Sequence, residues 1–199
     1  MKLSIRRIAA AASVIALTVV SFLLLSGASV KVEASTAQAP TNQAAAYCTQ
    51  ETGVVELRTP WYGTNGGTPL HLSGGEEFCA FTASDGSRIY VNLQTLYTTH
   101  PSLAALAYYA EEQPGSCEGN PASCYCTLLG GSDQFGGTTG AGGGWVKKDT
   151  PDVVLEACIF PDMSTIDSWG LYYHSAGIIR GIDLNGVLRY SDPYDGKKK

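Results

Sequence analysis

The residues with most chemistry in them are six cysteines, three histidines and a group of aromatic side chains. The cysteines are Cys48, Cys79, Cys117, Cys124, Cys126 and Cys158; the histidines are His71, His100 and His174. A thiol is a nucleophile, redox centre or metal ligand only as an accessible thiolate. Once paired, it is a covalent staple. Cys124-x-Cys126 has the spacing of a redox pair, but a structural partner for Cys126 (below) favours the staple. No histidine stands near another or near an acidic or cysteine motif at ligand spacing, so no metal site is read here. Asp85-Gly86-Ser87 lacks the alternating acids of a calcium loop and reads as a turn. No G-x-S-x-G elbow occurs, although a catalytic triad is assembled in space and needs no fixed order. Trp169, Tyr172 and Tyr173 are the candidate recognition aromatics, with a place in the core as the plainer use of the same residues. No catalytic residue and no cofactor is assigned.

The elements that must position these residues occur twice. Residues 42–53 (NQAAAYCTQETG) align without a gap with 120–131 (NPASCYCTLLGG), and six of the twelve positions are identical. Each copy reaches a second cysteine about 31 residues later, in Cys79-Ala80-Phe81 and Cys158-Ile159-Phe160. A D-x-S-x-I segment follows in both, at Asp85–Ile89 and Asp162–Ile166. Equivalence by repeat pairs Cys48 with Cys79 and Cys126 with Cys158. Cys124 aligns with Ala46, so Cys117 and Cys124 belong to the second copy alone. Asn120 is a good helix N-cap and Pro121 suits the first helical position. The chain entering that helix can fold Cys117 back onto Cys124. A swap that pairs Cys124 with Cys158 is the competing map.

Positive residues Lys2, Arg6 and Arg7 precede an uncharged stretch at 8–25, then small residues: an export signal, placed at 1–34. Ser26-Gly27-Ala28 or Val32-Glu33-Ala34 supplies the cleavage site. The apolar stretch also reaches the length of a marginal membrane span, so an uncleaved N-terminal anchor is the alternative. Export explains six cysteines as disulfides, and it places the chain in a secreted or extracytoplasmic setting. Without residues 1–34 the chain has 9 basic and 17 acidic residues. An acidic chain whose one basic run is Lys197–Lys199 is a poor partner for nucleic acid.

The expected organisation is linker 35–41, module 1 at 42–113, module 2 at 114–184, and a flexible tail at 185–199. Each module reads helix–strand–strand–helix. The helix at 120–129 ends at Gly130-Gly131. Val54–Arg58, Glu77–Phe81, Trp145-Val146 and a continuous Val153–Phe160 read as strands. Ser164 is the expected cap of a helix holding Ile166, Trp169, Leu171 and Tyr173. Residues 101–112 read as an amphipathic helix with Leu103, Leu106, Ala107 and Ala110 inside. Gly-rich residues 136–144 read as a hairpin tip. The fold class is α+β, two tandem modules each stapled by a disulfide.

Copy two resembles a known family. Asn120-Pro121-Ala122-Ser123, Tyr125-Cys126, Gly130-Gly131, Cys158-Ile159-Phe160-Pro161-Asp162-x-Ser164 and Trp169 are similar to domain-of-unknown-function family 333, whose exported or lipoprotein members often carry the label "putative hemolysin". The resemblance covers 120–173. Copy one shares it through Tyr47-Cys48, Cys79-x-Phe81 and Asp85-Gly86-Ser87. Two positions depart from the family pattern: Met163 stands at the turn glycine, and Ile166 where a further cysteine is common. The resemblance implies a small exported domain and no catalytic residues. The resulting expectation is an exported, non-enzymatic binding or structural protein with an extracytoplasmic ligand or protein partner. The alternatives are a hydrolase or thiol-redox enzyme, or a lytic protein using helix 101–112.

Overall fold

The computed structural model describes residues 41–66, 68–133, 140–148 and 150–195, without the side chains of 41, 42 and 150–153. The expected signal, linker residues 35–40, positions 136–139 and Lys197–Lys199 lie outside the described residues. In chain order the elements are α1 (Thr41–Gln50), β1 (Val54–Tyr62), β2 (Leu70–His71), β3 (Glu76–Thr82), β4 (Arg88–Asn92), α2 (Leu93–Tyr97), α3 (Leu103–Ala110), α4 (Pro121–Leu128), β5 (Gly143–Lys147), β6 (Thr150–Leu155), β7 (Ala157–Ile159), β8 (Thr165–Asp167) and α5 (Ser168–Ser175). A 3₁₀ turn, Leu184–Gly186, follows. The class is α+β, and the three disulfides are Cys48–Cys79, Cys117–Cys124 and Cys126–Cys158.

The strands form one curled antiparallel sheet rather than two separate ones. Its order is β6-β5-β1-β3-β4-β8-β7, with β2 paired to β1. The copies meet where Val91 of β4 pairs with Ile166 of β8. Cys79 pairs with Val91, and Cys158 pairs with Ile166. One row of the sheet therefore reads Cys79, Val91, Ile166, Cys158, nearly the same forwards and backwards. Local features match about this row. Asn92 caps α2 and Asp167 caps α5. The turn Asp85–Ser87 closes with Ser87 N–H donating to Asp85, and Ser164 N–H donates to Asp162 in the same way.

The expected equivalence of Val54–Arg58 and Trp145-Val146 fails. Both are strands, but β5 pairs with β1 instead of occupying its place in the second half. That place holds only the bridge Ser132–Ile159. The expected single strand Val153–Phe160 is also wrong. It breaks at Glu156 into β6 and β7, which lie at opposite ends of the strand order. One residue thus joins the two ends of the sheet, and the sheet must curl for that to be possible.

Strand alternation gives the sheet two apolar faces. Cys79, Phe81, Ile89, Val91 and Ile166 face the helices in the larger core. Phe78, Ala80, Tyr90, Trp145, Leu155 and Ala157 fill the inside of the curl. Three further expectations need correction. Helix α5 starts after Ser164 and Ile166, capped by Asp167. Ser164 instead accepts from Ala104 N–H, and Asp162 from Leu103 N–H, so the D-x-S turn caps α3 from a distance. In α3 the buried residues are Ala104, Ala105, Ala107, Tyr108 and Tyr109, while Leu103 is exposed. Finally, the tail expected from 185 is docked as far as Tyr190, together with Leu184 before it. Leu184, Val187 and Leu188 are buried. Tyr47 donates to the Val187 carbonyl, and Arg189 N–H donates to that of Leu96.

Candidate ligand-binding groove

A groove of about 460 Å³ opens where the sheet curls, in the size range of small-molecule sites. Its charged and aromatic lining comes from six places in the fold. Arg58 lies on β1, Arg88 and Tyr90 on β4, Glu156 at the β6–β7 break, Asp167 on β8, Trp169 and Tyr173 on α5, and Arg180 on the loop after it.

Arg58 forms part of the floor and is 1% exposed. A buried guanidinium is costly unless its donors are used. Here Nε and Nη2 donate to Glu56 at 3.1 and 2.7 Å, and Nη1 to the Trp145 carbonyl at 3.1 Å. Its cation lies 4.5 Å from the centre of the Tyr90 ring. Burial opposes ionisation of Glu56, but Arg58 and Lys147 hold its carboxyl below the ordinary range. Asp167 differs. It accepts from Gly170 N–H at 3.0 Å as the cap of α5, yet burial pushes its carboxyl up to about 6.

Arg88 and Arg180 are anchored without an acidic partner. Among the described residues neither has a carboxylate within ion-pair distance. Arg180 lies 4.9 Å from the Tyr173 ring centre, and its Nε donates to the Arg88 carbonyl at 3.5 Å. Arg88 Nη1 lies 3.5 Å from the Tyr90 hydroxyl.

Of the three recognition aromatics read from the sequence, Trp169 and Tyr173 line the groove. Their rings are 5.8 Å apart and inclined by 30°. Tyr172 points elsewhere, edge-on to Tyr125 and against the larger core. Cys124 and Cys126 hold different partners, so this C-x-C is two staples. The histidines are scattered. His174 stacks on Tyr108 at 3.7 Å and lies 3.5 Å from Glu111; His71 packs beside Trp61; His100 is exposed. None lines the groove.

Sequence reasoning missed Arg58, Arg88, Arg180, Glu156 and Asp167. The available signal was charge inside strand-like sequence: a strand residue that is neither apolar nor edge-placed needs a partner or a task. No protein-family model, curated protein or solved structure matches the chain. The likeness of residues 120–173 to family 333 therefore stands on its motifs alone.

Proposed function

We propose that this is an exported, non-enzymatic binding protein that captures its ligand in the groove. One observation carries the reading: Trp169 and Tyr173 stand beside Arg88 and Arg180, two anchored cations with no carboxylate at ion-pair distance among the described residues. Aromatic faces with unspent donors are a recognition surface. Three disulfides fit an oxidising location, and cleavage of the N-terminal segment on export is part of the proposal. So is descent by duplication of a family 333 unit, for which the matched caps, turns and disulfides of the two halves speak. The tandem helix–strand–strand–helix modules then describe ancestry, fused into one sheet.

A hydrolase is the second reading, favoured by Asp167, whose raised carboxyl borders the groove. The lytic reading has less support, since Leu103 is the one exposed apolar residue of α3 and most of the others are spent in the core. Among the described residues no helix is long and apolar enough to cross a membrane.

The test is a thermal-shift screen of the purified chain against soluble saccharides and short peptides. Ligands that raise the melting temperature of the wild type should fail to do so in Trp169→Ala and Arg88→Gln. A ligand that protects both variants as well as the wild type places binding elsewhere. Product release that Asp167→Asn abolishes, in a variant that still folds and binds, establishes the hydrolase.

A further inference from the structure

We infer that the groove takes a saccharide bearing a carboxylate, a sugar of the uronate class. This rests on reading the groove as a binding site.

Trp169 and Tyr173 form a shallow platform, two half-buried rings 5.8 Å apart at 30°. The C–H face of a pyranose ring packs on such a surface through dispersion and burial. Arg180 lies over one face of the Tyr173 ring and its Nε donates to the Arg88 carbonyl, and both arginines line the same groove as the platform. A planar carboxylate is the group that a guanidinium fork binds with two parallel hydrogen bonds. Among the described residues neither arginine is within ion-pair distance of a carboxylate, and Arg180 acts on Asp85 and Asp167 only at longer range.

Glu156 supplies the complementary chemistry. Its Oε2 accepts from Asn120 at 2.9 Å, which leaves Oε1 as an acceptor for a sugar hydroxyl. The mixture also selects against other anions. Glu156 and Asp167 repel a chain of phosphates, and the rest of the protein is acidic. A neutral sugar would satisfy the platform but leave both arginines unmatched. Volume adds a further constraint, since about 460 Å³ suits a ligand of one or two rings.

The experiment titrates the full exported chain, disulfides intact, with digalacturonate, its dimethyl ester and inorganic sulfate. Calorimetry gives affinity, and the Trp169 indole N–H resonance, assigned with Trp169→Phe, gives location. Digalacturonate should bind and shift that resonance. Esterification, Arg88→Gln and Arg180→Gln should each weaken binding about tenfold to a hundredfold, the value of one charge-assisted contact. Arg180→Lys, with charge but no fork, should fall between. Melting curves verify that the variants fold; Arg88 is exposed, so its variant carries the test if Arg180→Gln does not fold. Equal affinity for acid and ester, or no weakening in Arg88→Gln, overturns the inference. If the ester or a peptide moves the Trp169 resonance and the acid does not, the acidic sugar is wrong and the groove reading survives. If no compound in either panel moves it, both fall. Sulfate binding as strongly as digalacturonate also overturns it, because the site would then be a simple anion site.

Discussion

Gly53 and Gly131, paired by the repeat, each lie against a disulfide. A Cβ at Gly53 would overlap Cys79 Sγ and press on Cys48 Sγ; at Gly131 it would overlap Cys158 Sγ and press on Cys126 Sγ. The obstacle is a covalent bridge, which cannot move aside as a flexible side chain does. Gly53→Ala and Gly131→Ala should each cost about 1–3 kcal/mol, the usual penalty of overpacking. Equal melting temperatures for wild type and both variants would contradict this. The reverse argument applies at Met163, an exposed residue with φ +65° at the end of a turn. Its counterpart Gly86 has φ +83°. Met163→Gly relieves a left-handed penalty of about 1–2 kcal/mol, but loses part of that to the freer unfolded chain. A net gain of about 0.5–1 kcal/mol in chemical denaturation is expected. Asp167 sets a pH dependence. Its folded value of about 6 exceeds the ordinary 3.8, so between these pH values the native state holds the proton more tightly. This contribution to stability is present below pH 3.8 and is lost as pH rises through 6. Glu56 has the opposite sign: its contribution is lost as pH falls. Asp167→Asn keeps a good cap and removes only the titration. The difference in stability between wild type and variant should therefore change across pH 4–6 by on the order of 2–3 kcal/mol. A difference flat with pH would show that Asp167 does not titrate there.

Local signals worked for the elements, and long-range placement escaped them. Asn120-Pro121 set the start of α4 because a cap and a ring-locked φ act within a few residues. The disulfides were legible for the same reason, from a repeat and a short return. The break at Glu156 was not. Val153–Phe160 reads as one β-rich run without glycine, and nothing local sends its halves to opposite ends of a sheet. The groove depended on that break, so its charged residues stayed hidden while Trp169 and Tyr173 could be found. The C-terminal segment hid in another way: it contains turn residues and few periodic ones, but Leu184, Val187 and Leu188 fill space beside α3 and α1. Each buried side chain contributes about 1.5–3 kcal/mol. Ending the chain after Asp183 should thus cost about 5 kcal/mol or more, comparable to the whole stability of a small domain. Ending it after Tyr190 should change little. Secretion yield and melting of the two truncations make the comparison. A folded Asp183 truncation would mean that the docked segment is dispensable.

For the whole molecule, the joined sheet raises the question of whether either half folds alone. Each half owns one of the long-loop disulfides, which by the chain-entropy model is worth on the order of 3–4 kcal/mol. That favours autonomy. Three contacts argue against autonomy now. Val91 and Ile166 are both fully buried at the seam, so separation leaves an apolar strand edge on each side. Strand β5 of the second half covers β1 of the first over five residue pairs. And α3, on the first-half side and capped by its own Ser102, has its Leu103 and Ala104 N–H groups satisfied by Asp162 and Ser164 of the second. Losing one cap costs about 1 kcal/mol, but losing two sheet partners exposes the middle of a continuous core. Residues 35–113 and 114–199, produced separately, should each lack a cooperative melt as monomers. The first should also tend to self-associate, because a second β4 can take the place of β8 beside Val91. Mixing the oxidised halves should restore protected amides in β4 and β8 by hydrogen exchange. A monomeric 114–199 that melts cooperatively would show that the second module still stands by itself and that the shared sheet is a docking of two complete units.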